Sequence, residues 1–312
     1  MIDTAFTRLV GCRYPVQSVP IPGIATVEFV AAICNAGGFG MLPGSMAPAD
    51  AVRGMLAKLR ELTDAPHGVN FLIPFLEPGY AAVSAAAEHA RVIEFFYGEP
   101  DPELVALAHA GGALCSWQVG SVDEARAAVG AGCDFIIQQG VEAGGHVRGT
   151  TDLYDVLGAT LDAVSVPVLA AGGIATGADY AAAIAAGAAG VRVGTRFVCS
   201  RESRAHEDYK HALVAADADD STYTEAFSGM WPNAPHRVLQ SAIDAADNCE
   251  DEIVGEWTLG GERLAIPRNA VIAPTADTTG RIEAMALYAG RSVGRVTSVD
   301  SIEQIMADLV GA

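Results

Sequence analysis

Short apolar runs alternate with alanine-rich amphipathic segments along the first two-thirds of the chain. Eight runs read as strands, at 16–19, 39–42, 68–73, 92–97, 113–119, 134–139, 166–171 and 190–198. Most are continuously apolar rather than alternating, as parallel strands covered on both faces should be. Segments with helical spacing lie between them, at 26–36, 49–62, 80–90, 102–110, 122–131, 153–163 and 178–186. Parallel neighbours need a crossover, and helices supply it. Eight βα units in succession predict an α/β fold, a (β/α)8 TIM barrel. An open doubly wound sheet would show the same periodicity, but no G-x-G-x-x-G follows the first strand.

After residue 201 the alternation breaks. A polar helix candidate at 203–215 leads into an acidic stretch at 217–220 and then Gly229-Met230-Trp231-Pro232-Asn233. The expected partition is a barrel core at 1–201, an excursion over the barrel mouth at 202–268, and a closing region at 269–312. Helices are expected at 281–288 and 301–310 within that last region.

Composition narrows the function. Of the 312 residues, 51% are hydrophobic, enough for a large core. The net charge of −19 and the absence of a basic face exclude a nucleic-acid binder. An anionic substrate would need local cations, and Arg148, Arg192 and Arg196 are nearest the motifs below. The six cysteines, at 12, 34, 115, 133, 199 and 249, show no C-x-x-C spacing, so neither a zinc site nor a dithiol is signalled, and no metal is expected. No basic leader and no apolar run of about 20 residues is present, which predicts a cytoplasmic protein with no membrane partner.

Barrel enzymes work at the C-terminal ends of their strands, and three motifs fall there. Ala170-Ala171-Gly172-Gly173-Ile174 and Gly194-Thr195 follow the seventh and eighth strands. Glycine loops admit phosphate oxygens to backbone N–H groups, and a following helix N-terminus favours the charge. The same glycines would also serve plain tight turns. Gln139-Gly140-Val141-Glu142-Ala143-Gly144-Gly145-His146 follows the sixth strand. Its amide can donate and accept, its glycines bare the backbone, and His146 can act as a base near neutral pH. Asn70, on the third strand, can bond the edge of a heterocycle.

These residues resemble the nitronate monooxygenase family, also known as 2-nitropropane dioxygenases. The resemblance runs through TVEFVAAICNAGGFG at 26–40, Gly68-Val69-Asn70, GSVDEARAAVGA at 120–131, QGVEAGGHVRG at 139–149, the stretch 168–195, and TGRIEAMALYAGRSVG at 279–294. It implies a barrel holding FMN non-covalently, with an alkyl nitronate oxidised by O2 to a carbonyl compound and nitrite. It places FMN contacts at Gln17, Asn70, Gln139, Ala143, Gly144, Gly145, Gly172, Gly173, Arg192, Val193, Gly194 and Thr195. It puts the catalytic histidine at His146. His146 would take the α-proton of a neutral nitroalkane or orient the nitronate. The first strand departs from the family pattern, ending Gln17-Ser18-Val19-Pro20-Ile21-Pro22 where a Met is usual. Trp231 and His236 could reach the pocket. The partners expected are a small-molecule substrate and O2, with a homodimer left open. Two alternatives stand beside this reading: an FMN-dependent enoyl-thioester reductase fed by NAD(P)H, and a non-redox phosphate- or flavin-binding barrel.

Overall fold

The computed structural model describes residues 2–259 and 262–311. Its central sheet has eight parallel strands: β1 (Val16–Ser18), β2 (Gly40–Pro43), β3 (His67–Leu72), β4 (Val92–Phe96), β5 (Leu114–Val119), β6 (Phe135–Gln139), β7 (Val168–Ala171) and β8 (Gly190–Val193). From β2 to β8 each strand pairs with the next in sequence, and β8 returns to β1 with Arg192 opposite Gln17. The ring closes between β1 and the start of β2. Ser18 N–H donates to the Phe39 carbonyl at 3.1 Å, and Phe39 N–H to that of Val16 at 2.8 Å. The fold is a closed (β/α)8 barrel.

Alternation along the strands sorts the side chains. At the base, Phe39, Met41, Val92, Phe135, Ile137 and Leu169 fill the interior in one cluster with Phe6 and Val10. One layer higher on the same parity come polar residues: Asn70, Glu94, Gln118, Gln139 and Arg192. Residues of the opposite parity, such as Ile93, Phe95, Trp117, Ile136, Val191 and Val193, pack in the apolar layer shared with the helices. A short helix, Ala5–Val10, plugs the bottom. Thr4 caps it, and Phe6 meets the Phe39 and Phe135 rings edge-on at 5.8 and 5.3 Å.

Seven crossover helices lie between consecutive strands. The eighth, Ile302–Val310, comes at the far end of the chain and packs between Val27–Asn35 and Gly177–Ala185. The intervening stretch is an insertion between β8 and its helix. Within it, Ser221–Thr224 pairs with His236–Leu239, which pairs in turn with Gly145–His146 of the loop after β6. A hairpin, Ile253–Leu259 with Glu262–Pro267, and helices Glu207–Ala215 and Gln240–Asp247 complete it around a second core that includes Tyr209, Phe227, Val238 and Met285.

Three sequence expectations fail locally. The run 190–198 is not one strand: the backbone turns at Gly194 (φ −116°, ψ −83°) and Thr195–Val198 forms a helical turn. The segment 281–288 is not a helix beyond the 3-10 turn Ile282–Ala284. Its later backbone is drawn into sheet contacts, Leu239 N–H donating to the Leu287 carbonyl at 2.9 Å and Ala289 N–H to that of Arg237 at 3.1 Å. The helix expected from 203 starts at Glu207, because Ala205 bridges Thr275 and His206 caps the helix, its Nδ1 accepting from Asp208 N–H at 3.1 Å. Among the described residues no helix is long and apolar enough to cross a membrane.

Candidate active site

The strand C-termini and the insertion enclose a cavity of about 310 Å³. Asn70, Gln118, Gln139 and Arg192 form a polar floor. Gly145, Gly172, Gly173, Gly194 and Thr195 bare one wall, and Leu72, Phe75, Phe96, Trp231, Trp257 and Ile272 make the others apolar. Of the remaining expected residues, Ala143, Gly144 and His146 also line it. Gln17 and Val193 do not. Val193 faces the helical layer, and Gln17 lies beneath the floor with its Nε2 donating to Glu94 at 3.3 Å.

The loop after β6 is held from both ends. Gln139 Nε2 donates to the His146 carbonyl at 3.0 Å, and its Oε1 accepts from Arg148 N–H at 3.2 Å. Gln139 thus has its amide occupied by the loop that carries His146. Gly144 is small for the protein's own sake: a Cβ there would lie 2.5 Å from the Gly290 nitrogen. Gly145 differs, with φ 74° and open space where its Cβ would be.

His146 sits in an aromatic cage. Trp231 stacks on it with centroids 4.1 Å apart and planes at 26°, while Tyr97 meets it edge-on at 5.9 Å. His236 and Tyr288 stand at 5.2 and 5.7 Å. Burial, then the nearby His236, pushes the His146 imidazole down to about 3. His236 is fully buried. Its Nε2 accepts from Phe227 N–H at 3.2 Å, so Nδ1 carries the proton and donates to the Ala234 carbonyl at 2.9 Å. Burial pushes His236 down as well. The cage therefore holds two neutral imidazoles. Tyr97 adopts φ 64°, a left-handed conformation that costs a side-chain-bearing residue about 1–2 kcal/mol, and burial pushes its phenol up to about 12. Strain of this kind collects where position matters more than stability.

At the glycine wall, Gly172 and Gly173 have φ 112° and 69°. The N–H groups of Gly172, Gly173 and Gly194 donate to no protein acceptor among the described residues. The next helix N-terminus does not add to this, contrary to expectation. The Asp179 carboxylate already accepts there from Ala175 and Thr176 N–H, at 3.0 and 2.9 Å, and from Arg295 at 3.0 Å. The three arginines expected to meet an anion are also engaged. Arg148 pairs with Glu124 and Glu99, Arg192 with Glu94, and Arg196 with Asp300. Glu94 and Gln118 escaped the sequence reading. Glu94 had a signal, a lone acid inside the apolar strand Val-Ile-Glu-Phe-Phe.

The nitronate monooxygenase family model matches residues 3–88 and 80–311. The chain belongs to the nitronate monooxygenase family. It is an oxidoreductase, and the family is flavin-dependent. It is 36% identical over 242 residues to a (3aS,4S,5R,7aS)-5-hydroxy-7a-methyl-1-oxo-octahydro-1H-indene-4-carboxyl-CoA dehydrogenase of Rhodococcus jostii, covering 78% of this chain and 67% of that one. It is 32% identical over 273 residues to a nitronate monooxygenase of Paraburkholderia phytofirmans, covering 72% and 74%. Among solved structures it resembles FabK from Thermotoga maritima, with a TM-score of 0.80, 27% identity and coverage of 100% and 96%. It also resembles a nitroalkane oxidase from Streptomyces ansochromogenes, with a TM-score of 0.79, 27% identity and coverage of 99% and 97%.

Proposed function

We propose that this chain is an FMN-dependent monooxygenase of alkyl nitronates, using O2 and releasing a carbonyl compound and nitrite. The cavity residues fit FMN. Among the described residues the backbone N–H groups of Gly172, Gly173 and Gly194 meet no protein acceptor and can meet a phosphate, and Gly145 leaves open space for a flat ring. Asn70, Gln118 and Arg192 offer polar atoms to the ring's edge from the floor. The bound flavin would supply the electron acceptor.

The observation that carries the reading is His146, a neutral imidazole caged at the wall of a largely apolar cavity. An imidazole pushed down to about 3 is too weak a base to deprotonate a neutral nitroalkane efficiently. It can still donate a hydrogen bond. A nitronate has already lost its α-proton, so only orientation is asked of His146. A preformed nitronate suits that role. FMN-loaded protein should consume O2 and release nitrite from propionate 3-nitronate or an alkyl nitronate without NAD(P)H. No turnover across a panel of nitronates rejects the reading. His146→Asn should keep FMN and lower nitronate turnover by about 10²-fold, the size of one lost oriented donor.

A second reading is favoured by the apolar walls. Phe75, Phe96, Trp231, Trp257 and Ile272 can bury a hydrocarbon body larger than a short nitronate. Redox chemistry on the thioester of a bulky hydrocarbon acid would use them, and the Rhodococcus relative is named for a ring-bearing carboxyl-CoA. Anaerobic mixing separates the two. Rapid bleaching of the flavin by NADPH or NADH supports a thioester reductase, and bleaching by nitronate alone supports the first reading.

A further inference from the structure

Glu94 is fully buried in the middle of β4. Its Oε1 accepts from Asn70 Nδ2 at 2.8 Å and from Arg192 Nη1 at 2.6 Å, and its Oε2 accepts from Gln17 Nε2 at 3.3 Å. Arg192 Nη1 also donates to Gln118 Oε1 at 2.7 Å. A carboxylate can only accept and a guanidinium can only donate. The directions of two amides follow. Asn70 must turn its NH2 group to Glu94, which leaves its Oδ1 over. Gln118 must turn its oxygen to Arg192, which leaves its Nε2 over. Both residues line the cavity, and neither leftover atom has a protein partner or is sealed from space among the described residues. The floor thus displays one acceptor, from β3, and one donor, from β5, with β4 between them.

We propose that Glu94 is a positioning residue that sets the hydrogen-bond polarity of this floor, so that it reads a ligand edge carrying N–H beside C=O. The imide edge of a flavin ring has that pattern, so the inference rests on the FMN reading above. The competing account is that Glu94 only neutralises Arg192. Neutralisation would be indifferent to whether the ligand carries the N–H. Polarity is not, because a methyl group on that nitrogen would leave Asn70 Oδ1 unpaired on the cavity floor.

The test compares binding of FMN and of its N3-methyl derivative to the full-length apoprotein, by quenching of flavin fluorescence. Wild-type protein should prefer FMN by about tenfold or more. Glu94→Leu removes the Oε1 that accepts from both Asn70 and Arg192, so Asn70 loses its imposed direction. The preference should shrink to about threefold or less, beyond any common weakening of both flavins. If Glu94→Leu does not fold by circular dichroism, Glu94→Asp keeps the charge but withdraws the oxygens by one methylene, and its ratio carries the same expectation. A wild-type ratio near one overturns the proposal. So does a preference that survives unchanged in the folded variant, since a steric or purely electrostatic role would leave it standing. Failure of FMN to bind wild-type protein removes the cofactor reading and this inference with it, whereas binding with an unmoved ratio removes only the inference.

Discussion

Replacing Trp231 by alanine tests whether the cage, rather than any charged partner, keeps His146 neutral. The indole covers one face of the imidazole at 4.1 Å and leans on Phe75 and Tyr97 at 4.9 and 4.6 Å. With His146 pushed down to about 3, only about one ring in a thousand is charged at pH 6. In the unfolded chain the ring titrates near 6.5, so between about 6.5 and 3 the unfolded state holds more protons than the folded one. Stability is therefore constant above that window and falls as pH drops through it, by at most about 1.4 kcal/mol per pH unit for this group. Removing the indole admits water to the ring. The His146 midpoint should rise by about one unit or more, and the acid-side loss of stability should flatten to match. Lost packing should cost about 2–3 kcal/mol at neutral pH, below the range for a fully enclosed tryptophan because one side of Trp231 borders the cavity. The assay is a proton NMR titration of the imidazole signals, assigned with His146→Asn, alongside urea denaturation from pH 4 to 8. A wild-type His146 that titrates near 6.5, or a midpoint unmoved in Trp231→Ala, refutes the argument.

Three further outcomes are expected. Gly173→Val places a β-branched residue at φ 69° and screens the N–H from the cavity, so the FMN dissociation constant should rise about tenfold or more by fluorescence titration. Gly149→Ala would bring a Cβ to 2.2 Å from the Gly120 carbonyl oxygen, at the base of the His146 loop. Chemical denaturation should show a loss of about 2 kcal/mol or more, and nitronate turnover should fall with the displaced loop. Phe6→Ala empties the plug beneath Phe39 and Phe135, and should cost about 3–5 kcal/mol in the same assay while leaving FMN affinity within about twofold.

What could be read from the sequence follows from how local each signal is. The eight strands were legible because a strand buried on both faces must be apolar nearly throughout, and the seven intervening helices because their spacing is periodic. The eighth strand was read too long because Val-Gly-Thr-Arg-Phe-Val stays mostly apolar past the point where Gly194 turns the chain. The segment 281–288 carried a helical pattern, but its partners, Arg237 and Leu239, lie far away in sequence and their sheet bonds prevailed. Within the site, His146 and the glycines were legible as motifs. The hydrogen-bond duties of Gln139 were not, since its partners are backbone atoms of its own loop, and the cage around His146 draws on residues from Tyr97, just after β4, to Tyr288 in the chain's last third.

This division also explains why the family is clearer than the substrate. The barrel strands supply the floor and the glycine wall, and these suit a flavin. The insertion after β8 supplies Trp231, Trp257 and Ile272, which border the space where a substrate must lie, and it reaches back through His236 to pair with His146 itself. A change in the insertion can therefore alter both the shape of the substrate space and the environment of the histidine without touching the floor. Two family members could share flavin contacts and differ in the molecule they oxidise. For this chain, exchanging Trp257 and Ile272 for alanine should change KM across nitronates of increasing chain length while FMN affinity holds. A parallel loss of FMN would show that floor and walls are not separable and would refute the division.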